Sequence, residues 1–183
     1  MTVKYTLDTK NLKLHKLDPN IVQATLQIDN EDMISMYKDL LTIRHLENNS
    51  QALFDKKLIR GFCHLVTGQE NIYVAYKHAK NEDVSTSSYR CHGLAYVNGS
   101  SIVDIFSELL GRKNKIAGGK GGSMHLYNDY FLGGHGIVGA SVPIRVGAAF
   151  SCKYCEINKI KVDKNKNEIL ELLIMVYLTK QQQ

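Results

Sequence analysis

Several things this chain lacks narrow what it can be. Cysteine is scarce, four in 183 residues, and no secretory signal precedes them, so the thiols are expected reduced rather than paired. Cys152-x-x-Cys155 is an isolated CxxC. A structural zinc site needs four ligands, and the nearest upstream histidine is His135, so no metal site is expected from these residues. The longest uninterrupted apolar run, Leu172 to Leu178, is too short to span a bilayer. The start, MTVKYTLDTKNLKLHK, has no hydrophobic signal core and no arginine-rich presequence character. That predicts either a cytosolic protein or a mature or incomplete N-terminus. The formal charge of +5 is mild and dispersed. No basic cluster with interleaved aromatics argues for nucleic acid. The Walker pattern is absent and no GxGxxG follows a predicted strand; GxSxG, HExxH and any pair of acids spaced for acid/base work are absent too. No internal repeat is visible.

What is abundant is glycine, in one place. Gly118 to Gly139, GGKGGSMHLYNDYFLGGHGIVG, holds eight of the 14 glycines. Glycine reaches positive φ freely and lets another group approach the main chain closely. Two glycine clusters flanking a short aromatic loop therefore suggest a backbone shaped to touch a ligand. Met124, Leu126, Tyr127, Tyr130, Phe131, Leu132, Ile137 and Val138 supply apolar side chains that could bury the loop against a core.

Around this stretch the pattern is that of an α/β domain. Residues 1–28 are polar and weakly patterned, with a turn at Asp18-Pro19-Asn20, and read as an N-terminal arm. Asp29-Asn30 offers an N-cap, with Glu31 and Asp32 in the first turn. A helix over about 30–56 follows, its Met/Leu stripe destined for a core or a subunit interface. Phe62 to Val66 reads as a short buried segment. Thr67-x-x-Glu70 is a capping box opening a helix that runs to about Lys80. Val84 to Tyr89 reads as a strand, and ligands of α/β sheets sit at such strand ends. Ser100 or Ser101 caps a helix over 102–110, closed by Gly111. Ala140 to Tyr154 reads as a helix rich in small residues, with Pro143 in its first turn. Those small residues imply close packing against another backbone. Beyond Tyr154 the chain turns Lys/Asn-rich, and no glycine follows Gly147.

Four histidines, His64, His92, His125 and His135, fall near glycine or predicted strand ends, none on a predicted helix face, which favours a shared cleft. Tyr89-Arg90 is the clearest anion-binding pair, a guanidinium fork beside a hydroxyl donor. The bland alternative for Arg90 is a surface ion pair.

Four blocks now carry a resemblance: IRGFCHLVTGQE, SSYRCHG, ELLGRKNKIAGGKGGSMHLY and GGHGIVGASVP. In this order they resemble the α subunit of the pyruvate dehydrogenase E1 component, over most of residues 5–154. The resemblance implies a thiamine-diphosphate-binding fold, helices packed on a mainly parallel sheet, occupying 29–154. Residues 155–183 form a divergent tail, and the fold is expected incomplete at its C-terminal side. It implies oxidative decarboxylation of pyruvate and transfer of the two-carbon unit to a lipoyl group on E2. Branched-chain 2-oxo acid or acetoin dehydrogenase α subunits are alternatives; RGFCHL and SYRCHG favour pyruvate. A non-catalytic module docking on an E1 β subunit is a reading of another class.

The same resemblance places residues. Tyr89 and Arg90 match the pair on the cofactor diphosphate. Gly136 and Val138 match main-chain contacts to the thiamine ring system. His64 matches a catalytic histidine at the site's mouth, near 2-oxo acid. Asn128 falls at a substrate-channel position with a different side chain. The acid that activates the aminopyrimidine belongs to the β subunit, and the α2β2 assembly is the implied partner. The Gly-Asp-Gly and later Asn-Asn that hold the family's magnesium have no counterpart here, since the one Asn-Asn is Asn48-Asn49. Weak cofactor binding and little activity are therefore expected of the chain alone. The implied location is the mitochondrial matrix, with the cytoplasm as the alternative.

Overall fold

The computed structural model describes residues 4–9, 13–16, 18, 20, 25–79 and 84–157. The expected tail thus lies outside the described residues beyond Ile157. Contacts divide the chain into two units, Met1–Leu41 and Thr42–Gln183.

In the first unit, residues expected to form an irregular arm instead supply two strands. β1 (Lys4–Asp8) and β2 (Thr25–Asp29) pair antiparallel, from Lys4 opposite Asp29 to Asp8 opposite Thr25. Thr6 and Gln27 face each other, and the Gln27 amide donates to Thr6 Oγ1 at 2.7 Å. Each strand carries β-branched or aromatic residues, but pairing across a long connection leaves no local turn signal to read. The expected turn holds, with the Asn20 N–H donating to Asp18 Oδ1 at 2.9 Å. β2 runs directly into α1 (Asn30–Asp55), and Asp29 Oδ1 accepts the Asp32 N–H at 2.8 Å as the N-cap. The apolar stripe of α1 is not uniformly buried. Met33, Ile34, Tyr37 and Leu41 are exposed, whereas Ile43 and Leu46, further along, are buried.

The second unit is mainly helical. Ile43, Leu46, Glu47 and Ser50 fall on one helical face of α1 and are all buried. They share a core layer with Tyr73, Val74 and Tyr76 of α2 (Glu70–Ala79) and Leu94, Ala95 and Val97 of α3 (His92–Val97). Ile105 and Leu109 of α4 (Ile102–Leu109) and the loop residues Leu126 and Phe131 complete it. Each fully buried Leu, Ile or Phe among them contributes about 1.5–3 kcal/mol of burial free energy. α4 begins where expected: Ser101 Oγ accepts the Asp104 N–H at 3.0 Å and donates to Asp104 Oδ2 at 2.7 Å.

Several expectations need correction here. The capping box at Thr67 does not form, because α2 starts only at Glu70. The Glu70 carboxylate instead accepts the Gly68 N–H at 3.0 Å and pairs with Arg44, whose Nη2 is 3.0 Å from Oε2. Phe62 is 69% exposed rather than part of a buried segment. His92 opens α3, a helix of one and a half turns, so it does lie on a helix. α5 (Ser141–Ile157) holds Pro143 in its first turn as expected and extends past Tyr154. At Gly147 the expected close packing is not seen among the described residues: a Cβ there would find nothing within 4 Å. Val142, Val146 and Phe150, at i, i+4 and i+8, are exposed.

The expected mainly parallel sheet does not appear among the described residues, whose one regular sheet is the antiparallel β1–β2 pair. What remains of the predicted 84–89 strand is a parallel bridge, Ser85 to Phe131. Ser85 N–H donates to Tyr130 O at 2.9 Å, Leu132 N–H to Ser85 O at 2.7 Å, and Ser87 N–H to Gly133 O at 3.0 Å. That short ladder draws the middle of the glycine stretch against the segment leading to Tyr89 and Arg90. No described helix is long and apolar enough to cross a membrane.

Candidate functional site

The glycine stretch and the 62–64 segment enclose an open cleft of about 460 Å³. Phe62, His64, Met124, His125, His135 and Gly136 are among its lining residues. Three of the four histidines singled out from the sequence therefore meet in one place. His92 does not; it is wholly buried.

An aromatic ladder leads away from the cleft. The Phe62 and His64 rings stack at 5.6 Å with a 12° interplanar angle. His64 then meets Tyr89 at 4.5 Å, tilted by 47°, and the Arg90 guanidinium lies 5.7 Å from the Tyr89 ring centre. Such contacts fix ring planes and favour a cation over an aromatic face. Burial pushes the His64 imidazole below its ordinary value, and the nearby Arg90 and His92 lower it further. It is thus neutral at pH 7, able to accept a proton on one nitrogen and donate from the other. Arg90 Nη1 donates to the Leu65 carbonyl, while its Nε is buried without a partner. An unpaired buried guanidinium donor costs free energy unless an acceptor arrives, and an anion is the natural one. The Tyr73 hydroxyl holds this turn by donating to Arg90 O at 2.9 Å.

Across the cleft, His125 Nδ1 lies 2.9 Å from Gly121 O, which requires the hydrogen on Nδ1 and leaves Nε2 as an acceptor. His135 Nε2 is buried with no partner, and burial, then His125, lowers its basicity. At Gly134 a Cβ would sit 2.4 Å from Cys91 Sγ and 2.7 Å from Met124 O. Only glycine lets the second cluster close against Cys91 and the Met124 carbonyl. Gly136 is roomier, its nearest would-be contact being Met124 Cε at 3.5 Å.

Of the expected residues, His64 and Gly136 line the cleft, while Tyr89 and Arg90 stand outside the lining and are joined to it through the ring contact of Tyr89 with His64. Val138 is 52% exposed and outside the lining. Asn128 is not brought to the cleft. Its amide donates to Ser100 Oγ at 2.8 Å, and its Oδ1 accepts the N–H groups of Tyr130 and Phe131 at 3.0 and 2.9 Å. It serves the turn it sits in. Half of the apolar side chains expected to bury the loop stay exposed, namely Tyr127, Leu132, Ile137 and Val138.

Sequence reasoning missed a buried relay behind the cleft. Glu47 Oε1 lies 2.9 Å from His92 Nδ1, and Ser123 Oγ lies 2.7 Å from His92 Nε2. A carboxylate only accepts, so Nδ1 carries the hydrogen toward Glu47, and the other ring nitrogen shares a hydrogen bond with the Ser123 hydroxyl. The order matches a hydrolytic triad, yet the three residues are at most 2% exposed. No substrate reaches that hydroxyl; the relay is structural, tying α1 and α3 to the glycine stretch. Glu47 Oε2 also accepts the Val66 N–H at 3.1 Å. Burial pushes the Cys63 thiol up to about 11 despite its bond to Ser123, and the Cys91 thiol up to about 12, which disfavours the thiolate at both. Among the described residues, no group of three or more His, Cys, Asp or Glu could hold a metal ion.

Comparison with known proteins agrees with the blocks read from the sequence. Residues 38–168 match the model of the dehydrogenase E1 component family. The chain is 46% identical over 150 residues to the mitochondrial pyruvate dehydrogenase E1 component subunit alpha of Chaetomium thermophilum, covering 81% of this chain and 36% of that protein. It is 45% identical over 152 residues to the type I subunit of Ascaris suum, covering 81% and 38%. With the subunit of Sminthopsis macroura the identity is 38% over 182 residues, covering 96% and 50%. The chain therefore spans between about a third and a half of the length of these relatives.

Proposed function

This chain belongs to the dehydrogenase E1 component family, and from that premise we propose that it carries the cofactor-facing segment of a pyruvate dehydrogenase α subunit. In this reading it acts with an E1 β subunit in an α2β2 assembly of the mitochondrial matrix. The substrate is pyruvate, decarboxylated oxidatively, with the two-carbon unit passed to lipoyl-E2. The domain unit is taken as residues 29–154, on a thiamine-diphosphate-binding fold, a reading with which the parallel Ser85–Phe131 bridge is compatible.

The observation that carries the reading is the unpartnered, buried Arg90 Nε beside Tyr89, next to a cleft walled by neutral His64. A diphosphate is a dense anion, and a guanidinium donor already desolvated is matched to it. Bound there, thiamine diphosphate supplies a nucleophilic carbon and an electron sink for decarboxylation. Arg90 and Tyr89 would hold its phosphate end. The Gly136–Val138 main chain would face its rings, since no side chain at Gly136 stands in the way. His64 would move a proton at the 2-oxo acid's carbonyl oxygen. The described residues do not fit magnesium, and no step is assigned to it.

Two measurements test this. Calorimetry of the chain with thiamine diphosphate and magnesium should give weak, saturable heats that Arg90→Ala abolishes. Reconstitution with an E1 β subunit should then give pyruvate-dependent carbon dioxide release. A complex without release leaves the docking-module reading; no heat and no complex would sink both.

A further inference from the structure

We propose that Glu108 is an internal anion around which segment 117–122 folds, and that its ionised carboxylate positions Met124 and His125 in the cleft wall. Glu108 sits in the last turn of α4, the end of a helix where the dipole disfavours negative charge. Its side chain is nevertheless fully buried. The reason lies in the glycine stretch. Oε2 accepts from Asn114 Nδ2 at 2.7 Å, from the Ala117 N–H at 3.0 Å and from the Gly119 N–H at 2.9 Å. Oε1 accepts from the Gly121 N–H at 2.6 Å and the Gly122 N–H at 3.1 Å. Main-chain N–H groups converging in this way make a concave anion site of the kind that usually holds a phosphate. Here the protein fills it with its own carboxylate. Close wrapping also explains the glycine at 119, where φ is +81° and a Cβ would meet Arg112 O at 2.6 Å.

The link to the cleft is one peptide long. The Gly121 N–H is held by Glu108, and Gly121 O is held by the Nδ1–H of His125. Gly122 leads directly into Ser123 and Met124, with Ser123 fixed from the other side by His92. Glu108 therefore acts through the loop, as a positioning residue. The inference concerns the chain by itself and stands apart from which ligand enters the cleft.

Ionisation matters because every partner of the carboxylate is a donor. A glutamine would turn one oxygen into an NH2 group facing N–H groups, whichever way it is placed. The charged residues nearby in the loop, Arg112, Lys113, Lys115 and Lys120, are exposed. Asp104 on the same helix is bound to Ser101, α3 brings His92, paired with Glu47, and Tyr96, and His125 closes the loop. Burial raises the Glu108 carboxyl, but the N–H groups of Gly119, Gly121 and Ala117 and the Asn114 amide pull it below its ordinary value. A carboxyl held low adds stability above its unfolded value of about 4.5 and loses it as pH falls through the folded value.

Amide hydrogen exchange of the full chain, corrected for intrinsic rates, tests this between pH 7 and pH 3. At pH 7 Glu108→Gln should exchange roughly ten- to a hundredfold faster at Gly119, Gly121 and Gly122, with the His125 ring resonances displaced. In the unsubstituted chain the same amides should lose protection below about pH 4.5, before those of α2 at Tyr73 and Val74, and the variant should show no such step. Unchanged protection in Glu108→Gln would overturn the proposal. Should the variant fail to fold, the unsubstituted chain decides: loop and α2 amides released together would overturn it too.

Discussion

The two glycine clusters of this chain look alike on paper and differ in what they enclose. In the first cluster the Gly119, Gly121 and Gly122 N–H groups turn inward onto Glu108, which fills the concavity they form. Residues 133–139 close on Cys91 at Gly134 but stay open at Gly136, on the cleft beside His135. Glycine density marks close approach of main chain to something. It does not say whether that something is a ligand or the protein's own side chain.

The comparison can be pressed by substitution, starting where the effect should be largest. Glu108→Ala strips an acceptor from four main-chain N–H groups at once, and denaturant unfolding should show a loss of about 3 kcal/mol. Gly134→Ala drives a methyl into Cys91 Sγ and Met124 O, for which about 1–3 kcal/mol is expected. Ser123→Ala leaves His92 Nε2 buried without its hydrogen-bond partner and should cost about 1–2 kcal/mol by the same measurement. Gly136→Ala meets only ordinary contacts, so stability should move by less than about 0.5 kcal/mol while cofactor heats fall. A Gly136→Ala chain as unstable as Gly134→Ala would erase the distinction between the clusters.

How much of this the sequence showed depends on the kind of signal. Asp29, Ser101 and Pro143 are local markers, and the helices they open lie where expected. Tyr89-Arg90 and His64 were legible as residue types, and a ring contact of 4.5 Å joins them across 25 positions of chain. The relay of Glu47, His92 and Ser123 was not, because 45 and 31 residues separate its members and no spacing rule links them. The Glu108 cradle was hidden for a different reason. Its donors are main-chain N–H groups, which every sequence offers, so nothing in the residue names distinguishes a filled nest from an open one. Asn128, matched by resemblance to a channel position, has a local role that the residue name did not reveal, its Oδ1 holding the Tyr130 and Phe131 N–H groups.

The central claim is that the ligand-facing cluster is the second and not the first. The most direct test is a backbone amide shift map of the full chain titrated with thiamine diphosphate and magnesium into the millimolar range, where an affinity of about −4 kcal/mol becomes visible. The account predicts the largest changes at Gly136 and Ile137, with His64 and Arg90 following and Gly119 and Gly121 still. Changes centred on residues 118–122, or none in either cluster, would contradict it.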